Sequence, residues 1–169
     1  MTATHLIWRC IEWSKGEIII AENKTTQIEK QILQPNPAMK SLKKLVGKWK
    51  ASDPIGADAI NGQSVFEWME RGNFLLQYVD FGDTKGIEII GFDEESRSLK
   101  SHYFYGSGQI LEYKYKLHDD VLTVSIDMPR AKGQFTAKFS DDGNTYTGSW
   151  NWTQYGVKKS YNATMSKSK

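Results

Sequence analysis

A chain of 169 residues is one domain's worth and buries roughly 70% of its unfolded surface, so its core needs no covalent staples. Twenty-two Lys and Arg against 20 Asp and Glu leave a net charge of +2, too balanced for an electrostatic nucleic-acid binder. The single cysteine, Cys10, excludes an internal disulfide framework and a cysteine-rich zinc site, and no apolar run approaches the ~20 residues of a membrane helix.

Met1–Cys10 lacks the charged start and apolar stretch of a signal peptide, so the expected location is the cytoplasm. Mean hydropathy is -0.55 although aromatic residues make up 12%. The hydrophobic mass therefore sits in few, large side chains within a polar chain.

Taken in order, residues 1–33 show no clear period and form an extension before the domain at 34–169. Ile11–Ile20 has the pattern of a hairpin about Lys15-Gly16, and Thr25–Leu33 that of a short helix capped by Thr25 or Thr26. Asn36 is a good N-cap and Pro37 suits a first helical position, where its missing N–H is no loss. A short helix is expected over Pro37–Leu45, with Leu42, Leu45 and Val46 on one face and Gly47 as its stop.

Beyond Gly47 the period changes to two. Strands are expected at Lys48–Ser52, Gln63–Glu70, Phe74–Phe81, Gly86–Phe92, Leu99–Tyr105, Gln109–Leu117, Val121–Asp127, Gly133–Phe139, Tyr146–Trp152 and Val157–Met165. Gly, Asn or Asp stands at the joints, as in Arg71-Gly72-Asn73, Gly106-Ser107-Gly108 and Asp141-Asp142-Gly143-Asn144, where positive φ is needed. Ten strands joined by short turns, with no crossover helix, predict an all-β fold. It is an antiparallel up-and-down meander closed into a barrel, since closure removes both exposed edges. Ser166–Lys169 is expected as a frayed tail.

Alternation assigns the faces. Leu111, Tyr113, Tyr115 and Leu117 oppose Glu112, Lys114 and Lys116. Phe135, Ala137 and Phe139 oppose Thr136 and Lys138, and Tyr146, Gly148, Trp150 and Trp152 oppose Thr145, Thr147, Ser149 and Asn151. All but two of the aromatic residues lie between Trp49 and Tyr161, so the interior is aromatic and rich in tyrosine. A buried tyrosine hydroxyl needs a partner. Inward tyrosines thus mean either hydroxyls that reach solvent at the mouth or an interior holding water or a polar ligand group. A barrel of about eight strands can already hold one small ligand, and ten enclose more room.

A short helix followed by Gly47-Lys48-Trp49 at the head of a long meander resembles the calycin group: lipocalins, fatty-acid-binding proteins and nitrobindins. There the Gly-x-Trp tryptophan plugs the closed end. Leu45–Trp49, Phe66–Met69, Gly86–Asp93 and Phe139–Trp150 further resemble a bacterial lipocalin-like family of unknown function, over residues 34–169. The resemblance implies the fold and no activity. Lipocalins often set an arginine after the last strand against that tryptophan. The last arginine here is Arg130, so that contact is absent or made by lysine. Nitrobindins bind haem through a histidine near the carboxyl end, but the histidines here are His5, His102 and His118, so no cofactor is expected.

Lys159-Ser160-Tyr161 resembles the Arg-x-Tyr with which fatty-acid-binding proteins hold a carboxylate. Lys159 shares a face with Tyr161, and the pair either grips an anionic head group or leaves the lysine snorkelling to the rim. His102 points out if Tyr103 and Tyr105 point in. Glu67 and Glu88, each between apolar residues, are expected to face solvent; turned inward, either is a candidate general acid. No histidine spacing suggests a metal site or a triad.

The expected function is non-catalytic binding of a small, partly apolar molecule, with or without an anionic group, among Trp49, Tyr103, Tyr105, Tyr113, Tyr115, Trp150, Trp152, Lys159 and Tyr161. A barrel enzyme of isomerase or lyase type using an inward Glu or His with Tyr is one alternative. A filled barrel that binds another protein is the other.

Overall fold

The computed structural model describes residues 34–51, 62–129 and 131–168. The expected hairpin at Ile11–Ile20, the helix at Thr25–Leu33, Cys10, His5, Ser52, Arg130 and Lys169 lie outside them.

Asn36 Oδ1 accepts the Ala38 N–H at 3.0 Å, and Pro37 opens a helix over Pro37–Leu45. The helix is 3₁₀, and its buried residues are Met39, Leu42 and Leu45. A 3₁₀ helix turns every three residues, so that spacing makes one stripe. Val46, expected on the same face, is instead the C-cap, its N–H bonded to the Lys43 carbonyl at 3.2 Å.

Ten strands follow: β1 (Gly47–Ala51), β2 (Gln63–Trp68), β3 (Phe74–Phe81), β4 (Thr84–Asp93), β5 (Ser98–Tyr105), β6 (Ile110–His118), β7 (Val121–Met128), β8 (Ala131–Phe139), β9 (Thr145–Gln154) and β10 (Val157–Ser168). Each pairs antiparallel with the next, and β1 pairs with β10 to close the barrel. The all-β, ten-stranded, up-and-down barrel behind a short helix is as the alternation implies. β4, β5, β7, β8, β9 and β10 run one to three residues longer than expected, and β2 is shorter. Glu70, assigned to the second strand, belongs to a 3₁₀ turn over Glu70–Gly72. The expected tail is also corrected: Ser166, Lys167 and Ser168 lie in β10, opposite Lys50, Trp49 and Lys48. Their backbone groups are the ones that complete the ring.

The two ends of the barrel differ. One is closed by the helix, which joins the β6–β7 turn through a Lys44–Asp120 ion pair and the β4–β5 turn through Asn36 Nδ2 and Glu94 Oε1 at 3.3 Å. Gly47 starts β1 at φ 124, a conformation that side chains resist. The chain thereby turns from the helix into the wall, and Trp49 drops into the floor. Its indole N–H donates to the Leu45 carbonyl at 2.7 Å, satisfying a group that a helix end leaves open. The ring is fully buried against Tyr146 and Phe139, with centroids at 4.8 and 6.0 Å. Such pairs add about 0.5–1.5 kcal/mol each beyond area burial. Lys167 Nζ stands 5.1 Å from the Trp49 ring centroid, so a lysine does cover this tryptophan.

Candidate functional site

Register fixes what faces the interior. Trp49 opposes Ser64, Ser64 opposes Val79, Val79 opposes Gly86 and Gly86 opposes Tyr105. Residues at the same parity on each strand therefore share the inner face. Tyr103 and Tyr105 point in on β5, Tyr113 and Tyr115 on β6, Trp150 and Trp152 on β9, and Lys159 and Tyr161 on β10. His102 points out: its side chain is 57% exposed and stands 3.8 Å from Glu112.

These residues do not form one cluster. Trp49 belongs to the packed floor and Tyr115 to the buried middle. Toward the open end, Tyr105, Tyr113, Trp150 and Trp152 are only half-buried, and Tyr161 is 38% exposed. Solvent therefore reaches the inner wall there. Trp150 stacks on Phe135 at 5.5 Å and meets Tyr113 at 6.0 Å, while Trp152 meets Tyr161 edge-on at 5.7 Å. Tyr103 and Tyr105 make another edge contact at 5.5 Å, and the Tyr105 hydroxyl shares a 2.9 Å hydrogen bond with Thr84 Oγ1. Lys159, opposite Trp152, is exposed at the rim. With Trp152, Lys132 and Lys158 it lines an open depression of about 440 Å³.

The main surprise is Glu88. Alternation about Ile87 and Ile89 places it toward solvent, whereas the structure turns it inward and leaves it 5% exposed. The isoleucines lie on the outside, Ile87 at 43% exposure. They are tolerated there because Tyr78, Ile87, Phe104 and Ile110 stand side by side across β3 to β6, each shielding the next. The usable signal was further along β4: Ile90 and Phe92 share the parity of Glu88, and both belong to or pack on the core. Glu67 does face solvent, as expected.

Ser101 Oγ donates to Glu88 Oε1 at 2.5 Å, and the Tyr115 hydroxyl donates to the same oxygen at 2.9 Å. Among the described residues no hydrogen bond reaches Oε2. Burial pushes the carboxyl up to about 7, against the opposing effect of these two donors. Burial and the nearby Glu88 charge push Tyr115 and Tyr113 well above the ordinary tyrosine range, and burial raises Tyr103 to about 12. All three stay protonated near neutrality. Tyr103 is 5% exposed, and its hydroxyl has no hydrogen-bond partner. Its ring lies across Gly86, where a Cβ would come 2.7 Å from the hydroxyl oxygen. Glycine here makes room for the tyrosine.

The inner wall thus offers π faces and one carboxyl that changes charge near neutrality. Among the described residues no group of His, Cys, Asp and Glu could hold a metal ion, and no helix is long and apolar enough to cross a membrane. Comparison with protein-family models gives no match, and comparison with curated proteins gives none either.

Proposed function

We propose that the barrel binds a small, partly apolar molecule in its open half, among Tyr105, Tyr113, Trp150, Trp152 and Tyr161, without chemical change. The observation that carries this is the half-exposure of rings that the register turns inward. An interior built only for packing covers its rings to native density. Stacked and edge-on rings suit a flat or aliphatic body. An anionic group, where the ligand has one, sits at the rim near Lys159, which the register sets on the same face as Trp152 and Tyr161.

Kinship with the lipocalin-like calycins belongs to the same proposal. It is supported by the positive φ of Gly47, the Trp49 plug and Lys167 over its ring. Native mass spectrometry of the purified full chain, followed by titration with neutral N-phenyl-1-naphthylamine, tests the binding. A copurifying small molecule, or saturable fluorescence enhancement at one site per chain, is expected. A chain that carries nothing and leaves the probe dark overturns it.

Acid–base catalysis of isomerase or lyase type is the second reading, favoured by the Glu88–Tyr115 contact at 2.9 Å. A carboxyl poised near neutral pH is what a proton-transfer step needs. Turnover of a bound carbonyl compound that disappears in Glu88→Gln while binding persists would decide for the enzyme.

A further inference from the structure

We propose that Glu88 selects the ligand by charge: its Oε2 pairs with the ammonium group of an apolar amine whose body lies among the inward rings, a role that rests on the binding proposed above.

Among the described residues Glu88 is the one carboxylate at an inward position. Glu67, Asp80, Glu112 and Asp127 have the opposite parity, and the other acids lie at strand ends or in turns. The inward lysines are distant in the fold. Lys159 stands at the rim opposite Trp152, and Lys167 covers Trp49 at the closed end. The negative charge therefore has no protein cation beside it. The groups that face it are Gln77 from β3, Ser101 and Tyr103 from β5, and Tyr113 and Tyr115 from β6. None of them can neutralise it.

The remaining capacity points to a donor-rich cation. Ser101 and Tyr115 saturate one oxygen and leave the other. An ammonium brings N–H donors and a positive charge to that free oxygen. The π faces of Tyr103, Tyr113 and Trp150 carry negative potential and favour a cation again. A ligand carboxylate brought to the same depth meets repulsion from Glu88 with nothing to offset it. The near-neutral carboxyl fits this arrangement: empty, it is held up by burial, and an ammonium would pull it back to the ionised form and expel its proton.

The test uses the full chain, with the probe displaced by 1-octylammonium or by 1-octanol. These share an aliphatic body and differ in charge. An alkylammonium, like a lysine side chain, stays protonated to about pH 10. In the wild type at neutral pH the amine should bind ~10-fold or more tightly than the alcohol. In Glu88→Gln the two should bind alike, with alcohol affinity kept. Calorimetry at about pH 6 in buffers of different ionisation heat should show proton release with the amine and none with the alcohol.

Equal binding of the two in the wild type overturns the charge selection and leaves the proposed binding standing. An amine preference that survives in Glu88→Gln does the same. If neither ligand nor the probe binds the wild type, the proposed binding itself falls, and Glu88's role with it. The wild-type comparison needs no variant, so a failure of Glu88→Gln to fold would not protect the idea.

Discussion

The indole N–H of Trp49 donates to the carbonyl of Leu45 at 2.7 Å, so the first strand reaches back to cap the helix that delivers it. Helix, floor and wall are joined by one hydrogen bond between residues four apart. Trp49→Phe removes the donor, shrinks a fully buried ring and leaves the Leu45 carbonyl without it. A loss of about 2 kcal/mol is expected in urea unfolding, from cavity and hydrogen bond together. An unchanged midpoint would mean that the cap adds nothing to stability.

Glu88 makes stability depend on pH in an unusual direction. Its folded value, about 7, lies above the ordinary 4.5. Between these values the native chain holds a proton that the unfolded chain has released. Stability from this group is therefore fully present below about pH 4.5 and declines as pH rises through about 7. The gap corresponds to about 3 kcal/mol. Asp93 and Asp142, both held near 2 by hydrogen bonds, act oppositely and at lower pH. The wild type should accordingly be compared with Glu88→Gln, whose amide oxygen still accepts from Ser101 and Tyr115. The variant should gain on the wild type from pH 5 to pH 8, read as thermal midpoints. A constant difference would show that the carboxyl titrates normally.

Tyr103→Phe removes a buried hydroxyl that has no partner. Its desolvation is uncompensated, so the variant should be as stable as the wild type or more so, by up to about 1 kcal/mol. A destabilised Tyr103→Phe would show that the hydroxyl has a partner in solution.

At the rim, Trp152 and Tyr161 meet edge-on at 5.7 Å. Tyr161 is too exposed for its truncation to leave much of a cavity. Tyr161→Ala should cost less than about 1 kcal/mol of stability and weaken the naphthylamine probe roughly tenfold. Fluorescence titration beside a urea curve separates the effects; full probe affinity in the variant would place the ligand elsewhere.

How far the sequence foretells this arrangement varies by strand. On β6, β8 and β9 lysines and threonines alternate with rings, and the inward set is readable at once. On β4 the run from Ile87 to Ile90 is apolar on both faces but for Glu88, because the outer isoleucine joins an apolar row across β3 to β6. That row depends on register between strands, which a single strand's alternation does not contain. The same holds for Lys167. Its neighbours are polar and read as a tail, and only pairing with β1 makes them a strand. The chemistry at Glu88 was hidden for this reason, whereas the aromatic wall was not.

The seam of the barrel also sets an order of events. The Ser168 hydroxyl meets the Lys48 carbonyl at 3.5 Å across 120 residues of chain, while every other strand pair is between neighbours in sequence. The meander can zip hairpin by hairpin as it leaves a ribosome, but β1 waits with one edge unpaired until β10 has been made. Such distant closure is the slow contact of a β fold. The ring cannot close before its last strand exists.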